Sequence, residues 1–382
     1  MGRTPVDTWV GLVRRAHPGY TPSLWIHPPV PLEIRKSGDQ VEGFRVIAEL
    51  GRGAASIIYL VHDLKTKHVW ALKHVVKEGP KDQRFLDQAE QEYSVASKLN
   101  HPKVRKIEKM IRKKEGLLSG VSELYMVMEH VDGASCEREP PKTFEDAAYI
   151  FEQVAEGMAY MHRQGFVHAD MKPNNIVVDE KLNAHIIDLG QSCKTGTVKQ
   201  RIQGTPDYIA PEQVHRRAIT PKTDVYNLGA AMYWILTRHF VPTALAKGDS
   251  LLGSVDDSLM QKPRAPIEIN PRIPEMLNNL IMECVEIDPD RRPTMETVAD
   301  RLNLIHGKLK AEQILRKSGQ LPKVDASSQS GAGRDNGAAG SAIMGGSGSG
   351  GGSKAGAGAG RQPKPIAPPP IDPGPGIAEA DD

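Results

Sequence analysis

A chain of 382 residues with 39% hydrophobic and 25% charged side chains is long enough for two or three compact units and has an ordinary globular composition. Its formal net charge of +2 gives no electrostatic argument for nucleic acid, and its 3 cysteines, far apart and odd in number, give neither a disulfide framework nor a CxxC pair. No run approaches the roughly eighteen apolar residues of a membrane span, so a soluble, cytoplasmic protein without a membrane helix is expected.

Residues 1–43 are Pro-rich yet carry Trp9, Leu12, Val13, Trp25 and Ile26, apolar groups suited to packing on a folded body. They show no signal-peptide pattern, and the Met-Gly start matches a myristoylation signal only faintly. In "FRVIAEL", Phe44, Val46, Ala48 and Leu50 alternate with Arg45 and Glu49, which predicts a strand burying the first four. A turn holding Gly51 and Gly53 leads to the partner strand "SIIYLVHD", and "LKTK" turns the chain into a third strand, "HVWALKHVV". Two glycines at such a turn let backbone amides approach a phosphate, although a tight hairpin also favours glycine.

In the helix "FLDQAEQEYSVASKLNHP", Phe85, Ala89, Ala96 and Leu99 form an apolar stripe that also contains Glu92. A carboxylate on a buried face needs a cation. Lys73, in the third strand, is the candidate, and losing either partner would cost about 3–5 kcal/mol. "LYMVMEHV" reads as a buried strand. In "TFEDAAYIFEQVAEGMAYMHRQG", Ala147, Phe151, Val154, Met158 and Met161 share a helical face, with Thr143 and Asp146 as a cap pair and Gly165 as the stop. The loop "FVHADMKPNNIVVD" crowds Asp170, Lys172 and Asn175 between apolar runs, and Asp188 follows the hairpin "VVDEKLNAHII". Two or three such oxygen donors near phosphates suit a hard cation such as Mg²⁺. "LGAAMYWILT" predicts a buried core helix. Beyond about Leu321 the Gly, Ala, Ser and Pro composition predicts disorder, and "PKPIAPPP" offers a polyproline segment that an aromatic groove could read.

Together these segments resemble the eukaryotic-type protein kinase family, serine/threonine class. "GRGAAS" stands for the glycine loop, "WALK" for the lysine strand, "HADMKPNN" for the catalytic loop and "DLG" for the metal loop. "APE" closes the activation segment, and "DVYNLG" and "DPDRRPT" resemble the later helical signatures. The order and spacing agree from about residue 44 to 306.

The resemblance implies an α+β, two-lobed kinase-like fold, with a small antiparallel-sheet N-lobe carrying one main helix and a larger, mostly helical C-lobe. The organisation expected is an N-terminal extension (1–43), a kinase-like domain (44–306; N-lobe about 44–131, C-lobe about 132–306), a short helical extension (307–320) and the tail (321–382). It further implies ATP and Mg²⁺ as cofactors and a protein hydroxyl as substrate. Gly51 and Gly53 would cover the phosphates, and Lys73, fixed by Glu92, would hold two of them. Ile58 and Ala71 would sandwich adenine, the backbone of Glu129 and Val131 would bond its edge, and Met128 would gate the rear. Asn175 and Asp188 would bind the metal, Asp170 would take or orient the hydroxyl proton, and Lys172 would neutralise the moving phosphoryl group. Thr205 in "GTPDYIAPE" fits the same class. Asp224 is expected to anchor the catalytic loop, Glu212 and Arg292 to form a buried bridge, His168 to be a packed core histidine, and Cys193 to be a spectator thiol.

Three positions depart from the family pattern: Ser56 replaces the third loop glycine, Leu189 the usual Phe, and Ala169 the usual Arg. Without that Arg, a phosphate at Thr195 or Thr197 lacks its principal anchor, so activity independent of activation-loop phosphorylation is expected. Lys194, Lys199 and Arg201 are alternative anchors. The competing readings are a pseudokinase or ATP-binding scaffold recruiting partners through its terminal extensions, and a small-molecule phosphotransferase. The intact set Lys73, Glu92, Asp170, Asn175 and Asp188 opposes the first, and "GTPDYIAPE" opposes the second.

Overall fold

Alternating β-branched and aromatic residues build the first lobe as six strands: β1 (Gln40–Val41), β2 (Phe44–Arg52), β3 (Ser56–Asp63), β4 (Val69–Val76), β5 (Ile107–Lys114) and β6 (Val121–Glu129). The computed structural model describes residues 34–53, 55–77, 79–114, 120–242 and 262–320. The expectations for Trp9, Leu12, Val13, Trp25, Ile26 and the tail lie outside these residues.

The six strands form one antiparallel sheet in the order β1-β2-β3-β4-β6-β5. Its register sorts the side chains. Ile57, Tyr59 and Val61 of β3 are buried with Phe44, Val46, Leu72, Tyr125 and Val127 in one apolar cluster on one face. Pairing of Ile58 with Lys73, Ala71 with Met128 and Lys73 with Met126 gathers those residues on the opposite face. Period-two alternation therefore separates the lobe's core from the face that carries Lys73 within the same strands.

Two expectations need correction here. Ala48 and Leu50 are exposed, Leu50 to 48%, because register shifts between Val46 and Ala48 and between Glu49 and Gly51 break the alternation of β2. The helix after β4, α1 (Gln83–Ala96), buries Leu86, Ala89, Glu92, Val95 and Ala96. Phe85 is only half-buried beneath the Arg84 guanidinium, and Leu99 is buried beyond the helix end. Edge strand β5 had no counterpart in the sequence reading, since its charged residues mask the alternation.

The second lobe is helical: α2 (Phe144–Arg163), α3 (Pro211–Val214), α4 (Pro221–Thr237), α5 (Pro266–Ile269), α6 (Glu275–Cys284) and α7 (Met295–Lys317). Helix α2 begins as expected, with Thr143 Oγ1 accepting the Asp146 N–H at 3.0 Å, and buries Ala147, Phe151, Val154, Met158 and Met161. The turn after it places Gly165 at a φ of +81°. Helix α4 is buried on nearly every side from Thr223 to Thr237, which explains the apolar run "LGAAMYWILT". Short strands β7 (Ala134–Ser135), β9 (Ile176–Val178) and β10 (Ala184–Ile186) form a three-stranded sheet, and β8 (Phe166–Val167) pairs with β11 (Cys193–Lys194). The described residues up to His306 form one compact unit, and Gly307–Lys317 of α7 belongs to a second. No helix among the described residues is long and apolar enough to cross a membrane.

Candidate active site

Sheet register and helix periodicity meet at one ion pair. Lys73 projects from the cleft face of β4, Glu92 from the buried face of α1, and Lys73 Nζ lies 2.6 Å from Glu92 Oε2. Burial disfavours the Lys73 ammonium, but the charges of Glu92 and Asp188 outweigh it and hold its pKa above the usual lysine range. Burial likewise opposes the Asp188 carboxylate. The charge of Lys73 and the Gly190 N–H, 3.0 Å from Oδ1, nevertheless hold its pKa below the usual range.

Backbone bonds tie this pair to the catalytic loop. The Asn175 amide nitrogen donates to Asp170 O at 2.9 Å, and the Ile187 N–H donates to Asn175 O at 2.9 Å, directly before Asp188. Asp170 Oδ1 accepts the N–H and hydroxyl of Thr205 at 2.8 and 2.9 Å. Lys172 Nζ bridges Asp170 Oδ2 at 3.1 Å and Thr205 Oγ1 at 2.8 Å. Lys73, Glu92, Asp170, Lys172, Asn175 and Asp188, which come from distant segments, therefore belong to one connected constellation.

The loop is held from behind. Asp224, fully buried in α4, accepts the His168 and Ala169 N–H groups at 2.8 Å each and lies 2.8 Å from His162 Nε2. Ala169 is sealed from solvent at a φ of +60°, with its carbonyl accepting from Gln213 at 2.9 Å, and Asp188 has a φ of +65°. Non-glycine residues in this left-handed region are strained and persist where the surroundings over-determine them. His168 is packed in the core, with its Nε2 buried and unpartnered. Glu212 and Arg292 form the expected buried bridge at 2.8 and 3.0 Å. Cys193 is buried, which pushes its thiol pKa up, as suits a spectator.

Of the residues expected on the nucleotide side, Ile58, Ala71 and Met128 share the face of the sheet that carries Lys73. The Glu129 N–H donates to Lys106 O at 2.9 Å, while the Val131 N–H makes no backbone bond among the described residues. At the glycine loop, the Gly53 N–H donates to Ser56 O at 2.7 Å, and a Cβ on Gly53 would stand 2.7 Å from Ser56 Oγ. The close neighbour is thus a serine hydroxyl that can rotate away, and Gly51 has open space around it, so sterics among the described residues do not demand glycine at either position. Among the described residues no three His, Cys, Asp or Glu groups form a metal cage. Asn175 and an ionised Asp188 nevertheless fit a cation that takes its other ligands from phosphate and water.

The sequence reading missed Arg105. Its N–H donates to Ile186 O at 2.9 Å, and burial lowers the pKa of its guanidinium against the opposing charges of Glu92, Asp188 and Glu129. Only the neighbouring "HP" and the strand that follows could have marked it, and neither reports which way the side chain turns. In the activation segment, Lys199 Nζ donates to Gln191 O at 2.7 Å, whereas Lys194 and Arg201 are exposed.

The family description "Protein kinase domain" matches residues 44–302, more than half of the chain. A probable serine/threonine-protein kinase of Streptomyces coelicolor is 28% identical over 259 residues, 64% of this chain and 37% of that protein. The serine/threonine-protein kinase PrkC of Bacillus subtilis is 27% identical over 272 residues, 69% of this chain and 40% of that protein. A Mus musculus protein named inactive serine/threonine-protein kinase PLK5 is 27% identical over 254 residues, 65% of this chain and 40% of that protein. The chain thus corresponds to well under half of the length of these relatives.

Proposed function

The chain belongs to the protein kinase family, and from that premise we propose that it is a serine/threonine protein kinase transferring the γ-phosphoryl group of ATP to protein hydroxyls. The carrying observation is the bridge from Lys172 to both Asp170 and Thr205, beside the Lys73–Glu92 pair. Mg²⁺, held by Asn175 and Asp188, would supply neutralisation of phosphate oxygens. Lys73 orients two phosphates while Glu92 fixes its ammonium. Ile58, Ala71 and Met128 line the adenine side, and Glu129 and Val131 offer the backbone edge. Asp170 orients the substrate hydroxyl and accepts its proton, and Lys172 balances the charge that develops on the transferring group.

Family membership alone does not give turnover, since one relative carries the name of an inactive kinase. The retained charged set favours activity in this chain. Labelling of a generic basic protein from radiolabelled ATP and Mg²⁺ tests it. Asp170→Ala is expected to lower the rate by about 10²–10⁴-fold with the fold retained. Equal labelling by the wild type and this variant would refute the assignment.

Activity is further proposed to be independent of activation-segment phosphorylation. Position 169 has no room for a cation, and Lys199 already ties the segment to Gln191. Phosphatase pretreatment should leave the rate unchanged, and a collapse would show that a phosphate is needed. The boundaries proposed are a catalytic unit over 44–306 flanked by the extensions 1–43 and 307–382. A partner of the Pro-rich tail is proposed on composition alone.

A further inference from the structure

A pair of neutral amides is buried behind the catalytic loop, outside the charged constellation. Gln213 in α3 and Asn227 in α4 are only 3% and 1% exposed, so their polar atoms depend on protein partners. Gln213 Nε2 donates to Ala169 O at 2.9 Å and to Gln203 O at 3.3 Å. Its Oε1 accepts the Ala210 N–H and Asn227 Nδ2, each at 3.0 Å. Asn227 Nδ2 also donates to Tyr208 O at 2.7 Å.

The two carbonyls held by Gln213 flank the reacting centre. Ala169 directly precedes Asp170, and its φ of +60° persists only if the surroundings enforce it. Gln203 lies two residues before Thr205, whose N–H and hydroxyl both reach Asp170 Oδ1. One amide nitrogen thus clasps the two segments that meet at Asp170. Gly204 permits this approach: its φ is +126°, and a Cβ there would stand 3.2 Å from Gln213 Nε2. A free side-chain amide can exchange its oxygen and nitrogen by rotation. With Asn227 and the Ala210 N–H both on Oε1, the Gln213 nitrogen is left facing Ala169 and Gln203. Asn227 spends its Nδ2 hydrogens in this way while its Oδ1 is buried without a hydrogen-bond partner, a cost that an apolar side chain would avoid.

We propose that Gln213 and Asn227 are positioning residues that hold Asp170 in register with Thr205, Asn227 acting through the orientation it imposes on Gln213. The relay consists of neutral amides and backbone groups, so it works without a phosphate and without a titrating side chain. The proposal rests on the kinase reading of the site for its kinetic readout, whereas its structural readout needs no phosphoryl transfer.

The experiment is a double-mutant cycle on the full chain with Gln213→Met, Asn227→Ala and both together, and with Gln213→Glu, which keeps the acceptor but loses the donated bonds. Gln213→Met and Gln213→Glu are expected to lower kcat on a protein substrate about tenfold or more. The Kd of a non-hydrolysable ATP analogue should stay within about twofold of wild type, because the Lys73–Glu92 pair is untouched. Asn227→Ala should lower kcat several-fold in wild type and add nothing in the Gln213→Met background. It answers alone, through the same split between kcat and Kd, if the Gln213 variants do not fold. Amide hydrogen exchange over residues 203–210 should quicken in Gln213→Met and in Asn227→Ala. A kcat within about twofold of wild type, fully additive effects, or equal losses of kcat and of analogue affinity overturns the proposal. Equal labelling by the wild type and Asp170→Ala would sink the kinase assignment alone, and unchanged exchange over 203–210 would then still overturn the positioning role.

Discussion

Arg292 shows how one residue can be committed entirely to structure. It sits in "DPDRRPT", which resembles a helical signature of the family, and it is fully buried, spending its donors on Glu212 and on the carbonyls of Lys222, Glu286 and Ile287, with its guanidinium 4.9 Å from the Tyr226 ring centroid. Arg292→Met strands the Glu212 carboxylate in the interior, and a stability loss of about 3–5 kcal/mol is expected in urea unfolding. A loss below about 1 kcal/mol would mean that water reaches Glu212. The pairing was legible from "APE" and "DPDRRPT" only through resemblance to the family. The roles of Asp170 and Asn175 were legible because polar groups so densely placed between apolar runs need partners. Arg105 was not legible, because no local pattern marks a residue that the fold leaves half-buried beside Ile186.

At the scale of elements, α4 and α6 approach closely because Gly229 lacks a Cβ. One built there would lie 2.5 Å from Cys284 Cβ and 3.0 Å from Val285 Cγ1. Neither neighbour is the far end of a flexible chain, so Gly229→Ala must push the helices apart. A cost of about 1–3 kcal/mol is expected in chemical denaturation, despite alanine's better helix propensity. A neutral or stabilising Gly229→Ala would show that the two helices can separate freely. Periodicity foretold α2 accurately, since a long amphipathic helix with a Thr cap and a Gly stop carries redundant signals. It misjudged β2, where two register shifts override the alternation, and it placed the apolar stripe of α1 one residue out at Phe85.

For the molecule as a whole, the acid limb of stability should follow its buried histidines. Burial is the main cause that lowers the pKa values of His74, His101 and His185 below the ordinary 6.5, with the carboxylates near each opposing it. In the native state these imidazoles resist protonation, whereas the unfolded chain takes up protons near 6.5. Their contribution is therefore fully present above that value and is lost as the pH falls below it. The Tm should drop between about pH 7.5 and 5.5, and His74→Phe, which keeps a ring over Tyr125, should flatten part of the drop. His74 stacks on Tyr125 at 4.2 Å and meets Glu123 at 2.8 Å, so this variant removes the titration while keeping the ring contact. A Tm that is constant or rises over that window contradicts the assignment.

Apart from edge strand β5, the order of the main elements, the lobe in which each belongs and the segments that hold the charged residues were legible in the sequence alone. Alternation, helical spacing and glycine or capping signals are local, and the charged residues stand in segments whose order and spacing match a known family. Which carboxylate meets which cation, the exposure of Leu50 and the lysine tie inside the activation segment were decided only by tertiary structure. The first depends on contacts between segments far apart in sequence, and all depend on register and side-chain direction, which no local pattern encodes.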